Sequence, residues 1–218
     1  MSFNQRVLTL EQADEFLDKA RKVGVKPDPD KRFMYLAEES EDNEFPMQKE
    51  FYNHFFKSFS ESDLYRNSIL PRKTSIPSVY FSTEEYGKEW TFHRDDFKVD
   101  DMVREYSVIL SLSDPDEYEG GDCVILNNGM ETSMKLPKGY MAIFPSSSYV
   151  KFEKVISGNR TVVRWATEVG LKNHTEFELN MRYQQLYSAF KSNLSPQAEE
   201  LFFVANNMLA NYFMKDVD

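Results

Sequence analysis

"REYSVILSLSDPDEYEGGDCVIL", residues 104–126, is the stretch that decides the fold. It holds two apolar runs rich in β-branched residues, 106–113 and 122–127, and neither has a helical period. Between them lies "DPDEYEGG", a cluster of Asp, Pro and Gly that turns a chain. Working outward, the same texture extends from about 76 to 168. Runs at 76–82, 89–94, 130–136, 140–144, 149–156 and 160–168 bring the candidate strands to eight. "NNG", "PKG", "PSSS" and "SGN" separate several of them, and "SGN" is expected to turn at Gly158. Eight short strands with few helices between them predict a double-sheet jelly roll or a barrel, not a parallel sheet.

Helical periodicity appears only on the flanks. Residues 9–23 read as a helix: Thr9 and Gln12 have capping-box spacing, and Ala13, Phe16, Leu17 and Ala20 share a face. Gly24 is placed to end it. Phe51, Phe55 and Phe59 recur every fourth residue and predict a second helix over 46–59. His54 sits beside that stripe as a surface or core-edge residue. After 176, "EFELNMRYQQLYSAFKSN" and "SPQAEELFFVANNMLANYF" predict two more helices, the latter capped by Ser195. Leu201, Val204, Ala205, Met208, Leu209 and Tyr212 form an apolar face there, which needs cover from the sheet or from another chain. The expected architecture is mainly β with flanking helices in one domain, 1–218. It has a helical part (1–75), a jelly-roll core (76–170) and C-terminal helices (171–218).

Charge and cysteine usage narrow the partners. The net charge is −10, and the most basic segment, "RKVGVKPDPDKR", is broken by aspartates. That argues against a duplex nucleic-acid partner, which needs a basic stripe. Cys123 is the one cysteine, so no disulfide forms within the chain, as suits a reducing compartment. In "GGDCVIL" it reads as a small packed residue. No N-terminal apolar segment marks a secretory signal, and no apolar run is long enough to span a membrane. The expectation is a soluble, intracellular (cytoplasmic) protein.

One short motif carries chemistry. In "WTFHRDDF", His93 and Asp95 lie two apart, so they share a face if the strand continues through them. An imidazole and a carboxylate converging from one strand supply two of the three ligands of a facial two-His-one-carboxylate iron site. Taken alone, such a pair also describes a surface salt bridge.

The runs "LSDPDEYEGGD", "LPKGYMAIFPSSS" and "SGNR" together resemble one family. It is the prolyl-4-hydroxylase-like branch of the 2-oxoglutarate- and iron(II)-dependent dioxygenases, nearest to the PKHD-type hydroxylases. The resemblance covers about 80–170 and implies a double-stranded β-helix with its site in the mouth. It implies Fe(II) on His93 and Asp95. It also implies that Arg160 pairs with the distal carboxylate of 2-oxoglutarate, a task that suits a planar guanidinium. The implied substrate is a peptidyl side chain or a small molecule.

The family's second histidine ligand follows "PSSS", about ten residues before the arginine. Here that place holds Val150, which has no lone pair to give. The other histidines, His54 and His174, are out of register, and Glu153 reaches the site only through a bulge. Ser107 and Ser111 offer hydroxyls on the strand "YSVILSL", and Tyr80, Tyr86, Trp90 and Tyr149 either line the mouth or pack in the core. Two principal readings follow. One is a catalytically retired or non-standard member that serves as a binding or structural module, for a peptide or small-molecule ligand or a protein partner. The other is a working hydroxylase with a substitute ligand. A lectin-like or cupin-like ligand binder is a third. The last helix is also a candidate for self-association.

Overall fold

The computed structural model describes residues 3–23, 25–36, 71–75, 77–99, 101–127 and 129–169, and individual positions between 179 and 205. The helix expected over 46–59, with His54, lies outside the described residues, as do Gly24 and His174. By its contacts the chain forms two compact units, residues 1–59 with 74–168, and 60–73 with 169–218.

In chain order β1 (Phe3–Arg6), α1 (Leu10–Val23), β2 (Val25–Pro27), β3 (Met34–Leu36) and β4 (Pro71–Thr74) come first. The run continues with β5 (Ser78–Thr83), β6 (Trp90–His93), β7 (Lys98–Val99), β8 (Met102–Val103), β9 (Tyr106–Ser111) and β10 (Tyr118–Gly120). It ends with β11 (Cys123–Asn127), β12 (Met130–Met134), β13 (Tyr140–Pro145), β14 (Tyr149–Phe152) and β15 (Val155–Val169). All eight expected strands are present. The short strands β1 to β4, the β7–β8 hairpin and β10 are additions that no alternating pattern announced.

The larger sheet runs β1-β13-β9-β15-β5-β3-β2, antiparallel throughout, and the smaller runs β12-β11-β14-β6. Between them lies one apolar core. Ile109, Ala142, Phe144 and Val162 come from the larger sheet, and Cys123, Ile125, Val150 and Phe152 from the smaller. Each of the isoleucine, valine and phenylalanine side chains among them contributes roughly 1.5–3 kcal/mol on burial. Two facing antiparallel sheets around that core make the expected double-stranded β-helix. All six residues of β9 are buried, which explains why "YSVILS" shows no polar alternation.

Local chemistry explains the joints. Thr9 N–H donates to Gln12 Oε1 at 2.9 Å and Gln12 N–H to Thr9 Oγ1 at 3.1 Å, the capping box that starts α1. The predicted face of that helix is buried at Ala13, Phe16, Leu17 and Ala20. "SGN" departs from expectation: the chain does not turn there. β15 runs straight through Gly158, whose φ of 77° no β-branched residue adopts and whose missing Cβ leaves room for the Glu117 carbonyl. Before that glycine β15 pairs with β10, and after it with β5, so one long strand changes partners there.

In the second unit the described positions 179–190 and 197–205 are helical. Ala198 N–H donates to Ser195 Oγ at 3.2 Å, the expected cap. Of the predicted apolar face, Leu201 is 69% exposed and Val204 46%, while Ala205 is half-buried. Among the described residues no helix is long and apolar enough to cross a membrane.

Candidate functional site

The site is assembled where β6, β14 and β15 meet. His93 ends β6 and pairs in register with Val150 on β14. Val150 is 1% exposed and packs into the core through Ile125 and Phe152. The register therefore sets an isopropyl group, not a ligand, on the residue directly across from the imidazole. Trp90 stacks on His93 with ring centres 4.0 Å apart and planes within 10°.

The imidazole has a defined tautomer. Nδ1 lies 2.9 Å from the Thr91 carbonyl, which only accepts, so Nδ1 carries the proton and Nε2 has a free lone pair. Burial pushes the His93 pKa down, against the Thr91 bond, which favours the neutral ring. Nε2 is buried without a hydrogen-bond partner, and it stands 4.0 Å from Asp95 Oδ1.

Asp95 is heavily engaged. Arg164 Nη2 donates to both of its oxygens, at 2.9 and 3.0 Å. Ser107 Oγ donates to Oδ2 at 2.6 Å, and Arg104 Nη1 lies 3.2 Å from the same oxygen. The side chains of Asp95 and Arg164 are only 8% and 9% exposed, so this is a buried ion pair. Burial works to raise the Asp95 pKa. The Arg164 charge, the Ser107 hydrogen bond and Arg104 outweigh it and hold the carboxyl below its ordinary 3.8. Arg164 is itself clamped, with its guanidinium 5.2 Å from the Phe152 ring centre and 5.3 Å from that of Trp90. Tyr80, Trp90, His93, Asp95, Arg104 and Arg164 line a cavity of about 330 Å³.

Arg160 lies four residues earlier on β15, on the same face, and is buried. Nη1 donates to the Gly121 carbonyl at 2.6 Å and Nη2 to Ser82 Oγ at 3.3 Å, while Nε has no partner. The guanidinium rests 4.7 Å from the Phe152 ring centre. Gly121, with φ 66°, lets the loop come this close, since a Cβ there would meet Val155 at 3.0 Å. Desolvation pulls the Arg160 pKa down, and no carboxylate forms an ion pair with it among the described residues.

These placements sort the sequence candidates. His93 and Asp95 come together as expected. Glu153 does not join them; it pairs with Lys151 at 3.3 Å on the smaller sheet. Ser107 faces Asp95, whereas Ser111 donates to the Ser113 carbonyl at 2.7 Å. Trp90 and Tyr80 line the cavity, Tyr149 lies under Arg94 at 4.3 Å, and Tyr86 lies under Lys31. Cys123 is buried, and burial pushes its thiol up to about 12, so it is no nucleophile. Among the described residues no group of three or more His, Cys, Asp or Glu is placed to hold a metal ion. Among the described residues the two donor side chains, one of them already neutralised by guanidinium, fall one short of a facial triad.

Sequence reading missed Arg164 and Arg104. One signal was available. In the apolar run "TVVRWAT", Arg164 is a charge in mid-strand, spaced by four from Arg160 and hence facing the same way.

No family model matches the chain. It is 30% identical over 175 residues to a PKHD-type hydroxylase of Shewanella frigidimarina, across 73% of this chain and 74% of that protein. A PKHD-type hydroxylase of Prochlorococcus marinus is 34% identical over 114 residues, which span 52% of this chain and 51% of that protein. Among solved structures, the fold is similar to the viral collagen prolyl hydroxylase of Paramecium Bursaria Chlorella virus-1 in its 2-oxoglutarate complex. The TM-score is 0.53 at 15% identity, with 77% of this chain and 95% of that one covered.

Proposed function

The chain belongs to the PKHD-type hydroxylase family, and from that premise we propose that it is a member whose metal chemistry has lapsed. It keeps the dioxygenase fold and uses the cavity at the mouth to bind a peptide or small-molecule ligand without an Fe(II) centre. The observation that carries this reading is Val150. It faces His93 in strand register, at the place where the family's order puts a second histidine. A valine contributes no lone pair, so His93 and Asp95 are left as a two-donor set among the described residues. Loss of one imidazole weakens a divalent site, because affinity rests on ligand number and type. The fold alone does not restore the activity.

One observation favours a second reading, a working 2-oxoglutarate-dependent hydroxylase. Arg160 is a buried guanidinium without an acidic partner among the described residues, and its Nε is unpartnered. Buried charges are ordinarily paired. The missing anion matches the carboxylate that the family places there. In that reading Arg160 binds and orients 2-oxoglutarate, and His93 and Asp95 hold the metal that supplies oxidative chemistry. Those two residues need a third donor from outside the described ones.

The two readings separate in an anaerobic titration of the purified protein with Fe(II) and 2-oxoglutarate. The expected result is a folded protein with no visible charge-transfer band. A band that disappears in His93→Ala and Arg160→Met would overturn the lapsed-site reading and establish the hydroxylase.

A further inference from the structure

We infer that Arg164 is the resident cation of this site. Its guanidinium has taken the charge-neutralising place of a divalent ion at Asp95, so metal binding is blocked a second time, independently of Val150. This rests on the lapsed-site reading and deepens it: the centre has exchanged its cation rather than merely lost a ligand.

The geometry is that of an occupied carboxylate. One nitrogen of Arg164 bridges both Asp95 oxygens at 2.9 and 3.0 Å. Oδ2 also receives Ser107 at 2.6 Å and has Arg104 at 3.2 Å. A small divalent ion binds carboxylate oxygen at about 2.1 Å. An ion on either Asp95 oxygen would therefore lie no more than about 5 Å from Arg164 Nη2, a like charge on a side chain only 9% exposed. Arg164 has little room to withdraw. It is 9% exposed and wedged against Trp90, Phe152 and Tyr80, with ring centres 5.3, 5.2 and 5.9 Å from the guanidinium carbon. The backbone fixes its direction as well, because Arg160, Val162 and Arg164 alternate onto the inner face of β15.

This assignment has a consequence for repair. A histidine at 150 would restore the donor set on paper and still meet a carboxylate paired to guanidinium. Both positions must change for a divalent ion to bind tightly.

The test uses Co(II) as the probe, followed by its visible ligand-field spectrum, in the full-length parent, V150H and V150H/R164M. The expected result is no specific binding in the parent and weak binding in V150H. The double variant should bind at least about tenfold tighter than V150H, the scale on which partners of a ligand tune metal affinity. Equal affinity in V150H and the double variant would overturn the role of Arg164, as would a folded double variant that binds no Co(II). Binding by the parent that requires His93 and Asp95 would instead sink the lapsed-site reading itself. If the methionine variant fails to fold by circular dichroism, R164Q replaces it, being neutral and still able to donate to Asp95.

Discussion

Arg160 and Arg164 occupy two niches on the same face of β15, and the niches are opposites. Around Arg164 there is an aspartate, a serine that helps hold it, and an open cavity. Around Arg160 there is a backbone carbonyl, a serine hydroxyl and no acid among the described residues. Both guanidiniums lie against Phe152, from 4.7 and 5.2 Å. Counter-charge, not residue type or strand position, separates the two arginines: Arg164 is paired with Asp95, and Arg160 has no acid beside it among the described residues. A paired guanidinium is part of the structure, and an unpaired buried one is a desolvated charge that an anion would stabilise.

Removing the acid has the largest expected effect. Asp95→Ala leaves Arg164 and Arg104 facing each other without compensation and is expected to cost about 3–5 kcal/mol. Urea denaturation of parent and variant checks this; a loss near zero would show that the pair adds nothing. Next comes the support of the other niche. Gly121→Ala places a Cβ at φ 66° and 3.0 Å from Val155, and is expected to cost about 1–2 kcal/mol through backbone strain alone. Arg160→Met is expected to change stability by no more than about 1 kcal/mol. The hydrogen bonds it loses are offset by relief of a desolvated charge. A loss as large as that of Asp95→Ala would make Arg160 a structural residue like its neighbour.

The smallest effect is acid sensitivity. The Asp95 carboxyl is held below 3.8 in the folded protein. Its contribution is therefore complete above the unfolded-state value and fades as pH falls through the folded one. Stability measured downward from pH 4 should fall more steeply in the parent than in Asp95→Asn. Parallel curves would remove the ion pair from the acid response.

Much of the framework was legible. Each of the eight predicted strands has a counterpart in the structure, because β-branched runs between Asp, Pro and Gly clusters encode them locally. The capping box at Thr9 and Gln12 and the buried face of α1 were equally local. β1 to β4 were not legible, because strands of three or four residues are too short to show alternation. The path of β15 through "SGN" was missed because a glycine at positive φ serves a turn and a change of strand partner alike. Leu201 and Val204 read as part of a face that needs cover from the sheet or from another chain, and both are exposed in the single chain, since periodicity identifies a stripe but not what covers it.

The sequence by itself determined which donors exist. Three histidines, one of them in an HxD pair, and a valine ten residues before Arg160 are facts of composition and spacing. Only the tertiary structure decided which cation meets Asp95. Arg164 lies sixty-nine positions away along the chain, and the two approach because the chain just past the end of β6, in the smaller sheet, lies against the middle of β15, in the larger. Strand alternation is local and can be read in a line of letters. The pairing of charges between strands depends on sheet order and on the depth of burial, and those exist only once the chain has folded.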